Sequence, residues 1–104
     1  MRNRTDDDIR EWMALEWPIH DTDEIPLALG LENAFLGLGE LPASSNLATD
    51  LIAVYDYEQC IQEFIDQGMD RDEAVDYFHF NTLGAYVGPL SPMYVTTMDH
   101  NSDF

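Results

Sequence analysis

The sequence predicts a small α+β domain, a two- to three-stranded antiparallel sheet packed against two or three helices, and three observations lead there. Segments over 5–17, 56–67 and 70–87 repeat apolar residues every three or four positions behind capping residues, the pattern of helices buried on one face. Segments over 34–39, 51–55 and 93–97 are short and apolar, and they are either glycine-alternating or rich in β-branched and aromatic residues, as strands are. The chain has 104 residues, 45% of them hydrophobic, which is enough for one modest core and too many for a merely solvating acidic polymer. One domain over 1–104 is expected, with an N-terminal helix in 1–18, an α+β core in 27–97 and a flexible tail in 98–104.

Thr5, with Asp8 three residues later, reads as the N-cap and third position of a first helix, and Ile9, Trp12, Met13 and Trp17 follow at near-helical spacing. Pro18 ends that helix at or before Trp17. Residues 19–26 suit a surface connection. In the first strand Gly37 and Gly39 alternate with Leu36 and Leu38, so one face is expected to carry side chains while the other stays bare for close packing. Residues 41–46 are loop chemistry, and the run 51–55 is expected to pair antiparallel with the first strand.

Asp56 is placed to cap a second helix whose buried face is Tyr57, Cys60, Ile61, Phe64 and Ile65. Gly68 supplies its left-handed stop. Met69, Asp70 and Glu73 form a capping box with a leading apolar residue, starting a third helix expected to run to about Val87 and to bury Ala74, Phe78, Asn81 and Ala85, flanked by Tyr77 and Leu83. Asn81, the one amide on that stripe, is expected to bond loop backbone between Gly88 and Pro92. Gly88 ends the helix, and residues 93–97 form a closing strand.

Charge bounds the function. Twenty-one carboxylates face four arginines and no lysine, for a net charge of −17. Such a surface repels DNA, RNA and anionic membranes and attracts the proteins that bind them. The candidate partner-binding residues are Glu58, Glu63, Asp66, Asp70, Asp72, Glu73 and Asp76 on the second and third helices, with Asp6, Asp7, Asp8 and Trp12 on the first as a possible addition. Helices rise about 1.5 Å per residue, so these acids recur every several ångströms, a density of the same order as the phosphate every ~3.4 Å along one DNA strand. Trp12, Trp17 and Tyr94 are candidate aromatic anchors beside the charge.

Other chemistry finds less support. Asp70, Asp72 and Asp76 lack the glycine and the terminal glutamate of a calcium loop, Val75 standing where the glycine belongs. His20, His79 and His100 share no ligand spacing, so no metal and no cofactor is expected. Cys60, the lone cysteine, falls on a buried helical face and excludes an internal disulfide. Met1 leads through two arginines into Asp6, Asp7 and Asp8 instead of an apolar run, so a cytoplasmic location is expected.

The stretch from Val54 to Val95 carries Val54, Tyr55, Asp56, Tyr57, Glu58, Gln59 and Cys60, then Gly68 and Met69, then EAVDYF over 73–78, FNTLGAYVG over 80–88, and Ser91 with Pro92. It resembles a motif, EAxxYFxFNxxGAYVGxxSP, of small, largely uncharacterised tailed-bacteriophage proteins, in which an upstream strand like residues 32–37 often accompanies it. The resemblance covers somewhat under two thirds of the chain and leaves residues 1–26 outside. It implies a phage or prophage origin, hence action inside a host cell, and carries no activity of its own. Two functions follow as expectations. One is a non-enzymatic inhibitor that mimics nucleic-acid phosphates and blocks a host nucleic-acid-binding protein such as a CRISPR effector or restriction enzyme. The other is a structural or assembly module, pairing with a second copy or a virion protein through the strand at 35–38, its acidity conferring only solubility or salt adaptation.

Overall fold

The computed structural model describes residues 4–18, 21–41, 50–83 and 90–98 and has the α+β architecture. Helix α1 (Asp6–Glu16) starts in a reciprocal capping box: Thr5 Oγ1 accepts the Asp8 N–H at 3.1 Å and Asp8 Oδ2 accepts the Thr5 N–H at 3.0 Å. It buries Ile9 and Met13, one turn apart. The connection that follows is more than a surface link. It holds a 3₁₀ turn (Thr22–Glu24), buries Thr22 and Ile25, and is strapped to α1 by Arg10, whose Nη1 lies 3.1–3.2 Å from the carbonyl oxygens of Thr22, Asp23 and Ile25.

Strands β1 (Phe35–Leu41) and β2 (Asp50–Asp56) pair antiparallel, with Leu38 opposite Ala53 and Glu40 opposite Leu51. A bulge between Phe35 and Gly37 corrects the expectation that Leu36 and Leu38 share a face. The extra residue shifts the alternation, so Leu36 is 52% exposed while Leu38 packs on the core. Gly39 does allow close approach, since a Cβ there would stand 3.2 Å from Val54 Cγ2.

Strand β3 (Met93–Val95) is shorter than expected and pairs with β2 in parallel, Tyr94 opposite Tyr55, giving sheet order β1-β2-β3. The sheet is therefore mixed, not antiparallel. Parallel neighbours need a long crossover, and the two helices after β2 supply it.

Helix α2 (Tyr57–Asp66) is capped by Asp56, which accepts the Glu58 N–H at 3.2 Å, and it buries Cys60, Ile61 and Phe64. Gly68, at φ +111°, turns the chain, and the Met69 N–H returns to the Phe64 carbonyl. Helix α3 (Arg71–Phe78) begins in the expected Asp70/Glu73 capping box and buries Ala74 and Phe78. It then widens into a π-helical turn (His79–Leu83). A wider turn takes more residues per revolution, so Asn81 falls short of the core face. It is exposed, and its amide donates to the Tyr77 carbonyl at 3.2 Å; this corrects the buried, loop-bonding role expected of it. The loop over 42–46, Ala85, the helix end at Gly88 and the tail over 99–104 lie outside the described residues.

Between sheet and helices sits an aromatic core. Tyr55 meets Phe35 and Tyr94 at ring separations of 5.6 and 5.7 Å, and Phe78 meets Tyr57 and Tyr94 at 5.2 and 4.9 Å. The Tyr55 hydroxyl accepts the Ala28 N–H at 2.8 Å, fixing the loop before β1. Burial pushes the ionisations of Tyr55 and Tyr94 from 10.0 up to about 12, and burial with the nearby Asp56 and Glu63 charges pushes the Cys60 thiol from 9.0 up to about 12. All three folded-state values are raised, so their stabilising contribution is complete below the unfolded values and is lost as the unfolded chain sheds these protons first. Melting temperature should fall progressively between about pH 9 and pH 12. Thermal unfolding followed by circular dichroism across that range checks this; a flat profile to pH 11 would contradict it.

Candidate partner-binding surface

Each arginine among the described residues is engaged by acceptors of the protein itself. Arg4 donates to the Phe35 carbonyl at 2.6 Å, Arg10 serves the three carbonyls above and stands 3.6 Å from Asp6, and Arg71 reaches both oxygens of Glu58 at 2.9 and 2.7 Å. Two of the candidate acids, Asp6 and Glu58, are therefore paired with arginine. Asp8 is engaged in the α1 cap, and Asp70 and Glu73 exchange hydrogen bonds with each other's backbone at the start of α3. Glu63 and Asp66 each receive a glutamine amide from the preceding turn, Gln59 at 2.9 Å and Gln62 at 2.8 Å. A neutral amide fixes a carboxylate without cancelling its charge. Asp66, Asp70, Asp72, Glu73 and Asp76 are exposed, as is Asp7 on α1.

Four of the candidates line two separate surface depressions. Glu73 and Asp76 line a groove of about 570 Å³ on α3 together with Met69, Tyr77, Phe80 and Asn81. Asp8 and Trp12 line a different cleft, of about 460 Å³, with Arg4, Ile9, Phe35 and Leu36. Trp12 is 40% exposed and stacks edge-on against Phe35, so it remains available at a rim. Trp17 and Tyr94 do not, because both pack against the core.

Sequence comparison against family models and curated proteins, and structural comparison against solved structures, give no match. The aromatic pair in the α3 groove is what the sequence reading missed. Tyr77, expected beside the buried stripe, is 43% exposed, and Phe80 is 84% exposed. The signal was present in the spacing: Phe80 follows Tyr77 by three, Asp76 by four and Glu73 by seven, which are positions of one helical face. Cys60 is buried with its thiol raised to about 12, which leaves it protonated and unreactive near neutral pH. Among the described residues no three His, Cys, Asp or Glu side chains converge as metal ligands, and no helix is long and apolar enough to cross a membrane.

Proposed function

We propose that this chain is a non-enzymatic inhibitor of phage type, which presents carboxylates in place of nucleic-acid phosphates to the basic groove of a host nucleic-acid-binding protein such as a CRISPR effector or restriction enzyme. The observation that carries this reading is the unequal use of charge: the described arginines are consumed by carbonyls and by Glu58, while acids face outward from capped, core-packed helices. Some acids stand where local physics disfavours them. Glu16 and Asp66 close α1 and α2, and no described helix has a basic residue in its last turn, although the helix dipole favours cations there. A surface set only by the stability of its own helices would place lysine or arginine at those positions.

A host lysate passed over the immobilised protein at low ionic strength tests the reading. Retained nucleic-acid-binding proteins should be displaced by duplex DNA, and their affinity should fall steeply between about 50 and 200 mM salt. Retention of neutral or acidic proteins that ignores both salt and DNA would refute it. That second outcome belongs to the assembly-module reading, which draws on the other cleft, where Trp12 and Leu36 lie exposed beside the edge strand β1.

A further inference from the structure

We infer that the α3 groove is an arginine-recognition site, in which a guanidinium from a basic partner lies against the Tyr77 and Phe80 rings while Glu73 and Asp76 accept its N–H groups. The inference rests on the partner being the basic protein proposed above, and adds which side chain is recognised and what reads it. The groove joins two features that are each unusual to leave exposed together: a nearly bare phenylalanine and a half-bare tyrosine, rimmed by two carboxylates. An apolar side chain would satisfy the rings and strand the acids, whereas a cation satisfies both. A second copy of this chain, itself at −17, is repelled from this rim.

Arginine fits better than lysine. Its planar, weakly hydrated guanidinium stacks on aromatic faces and offers five donors in a fixed fork, while an ammonium is a compact, strongly hydrated point charge. The receiving groups are held in place beforehand. Tyr77 is wedged edge-on against Phe64 at a ring separation of 4.9 Å, and its carbonyl takes the Asn81 amide. Glu73 is anchored through Oε1 by the Asp70 N–H, leaving its other oxygen for an incoming donor. Phe80, two residues past the buried Phe78, falls on the opposite side of the helix, clear of the core beside them.

The test uses the full chain and two synthetic peptides of equal length and charge, one of arginine and glycine, the other of lysine and glycine, with affinity from calorimetry and the contact surface from amide chemical shifts. The arginine peptide should bind more tightly and shift Tyr77, Phe80 and Asn81. Phe80→Leu, at an exposed site and checked for fold by circular dichroism, should weaken the arginine peptide about 2- to 5-fold and the lysine peptide by less. Tyr77→Phe, which keeps the ring, should retain binding. Equal affinities that Phe80→Leu does not alter would overturn the arginine site while leaving the phosphate-mimic reading intact, provided binding still weakens with salt. A preference for arginine that depends on Phe80 but ignores salt would keep the site and overturn the mimic. Binding of neither peptide would overturn both.

Discussion

Phe78→Ala should destabilise the fold by about 3–5 kcal/mol, the cost of a fully buried aromatic replaced by a methyl group and a cavity. Phe78 has no exposed surface, and its ring is met edge-on by Tyr57 from the start of α2 and by Tyr94 from β3. Neither neighbour can close that gap, because α2 is held by its Asp56 cap and β3 by its register on β2. Against a typical domain stability of about 5–15 kcal/mol, the loss should lower the melting temperature by more than about 10 °C. Phe80→Ala, two residues further on, is the internal control. Its side chain is 84% exposed, so the change should stay within about 0.5 kcal/mol. Urea unfolding of both variants measures the contrast, and equal effects would mean that the core does not converge on Phe78.

Those two phenylalanines also mark where the fold was legible in the sequence. Local signals were: both capping boxes, the Asp56 cap and the Gly68 stop all follow from residues a few positions apart, whose chemistry acts on the nearest backbone, and two strand-like runs joined by one short loop led to the antiparallel pairing of β1 with β2. The direction of β3 was not, because it depends on where two helices return the chain, and a strand's composition is the same either way. The bulge at Leu36 escaped for a related reason. Simple alternation assumes one residue opposite one partner, and nothing in the run over 34–39 states that Tyr55 and Val54 face Phe35 and Gly37 with Leu36 left over. The π-helical turn displaced Asn81 in the same manner, since a periodicity carried forward from Ala74 and Phe78 cannot register a change of pitch at His79.

For the site, abundance hid the detail. Twenty-one acids can be grouped in many ways, and sequence spacing does not separate a carboxylate that caps a helix from one left to face a partner. The structure makes that separation. Asp70, Glu73 and Asp8 have structural duties at helix starts, and Glu58 is held by Arg71, so charge changes at these positions would confound folding with binding. Asp66 and Asp76 are the cleaner probes.

Asp66→Lys with Asp76→Lys should weaken a basic, DNA-competing partner by about 10- to 100-fold while leaving the fold as stable as before or slightly more so. Two unit charges about 4 Å apart in water interact by roughly 1 kcal/mol, so each reversal replaces an attraction by a repulsion of similar size, and physiological salt screens part of the difference. Stability should move the other way. Asp66 is the last residue of α2, where a cation gains about 0.3–1 kcal/mol from the helix dipole, against the loss of one exposed hydrogen bond from Gln62. The Asp76 side chain is exposed and takes no part in a cap, its carbonyl alone accepting the His79 N–H, and the double change removes four units from a net charge of −17 that repels itself. Binding isotherms for the partner and melting curves for the free protein, both taken at two salt concentrations, separate the outcomes. Affinity lost while the fold holds is the signature of charge placed for a partner; affinity and melting temperature both unchanged would mean that this acidic surface touches nothing the partner reads.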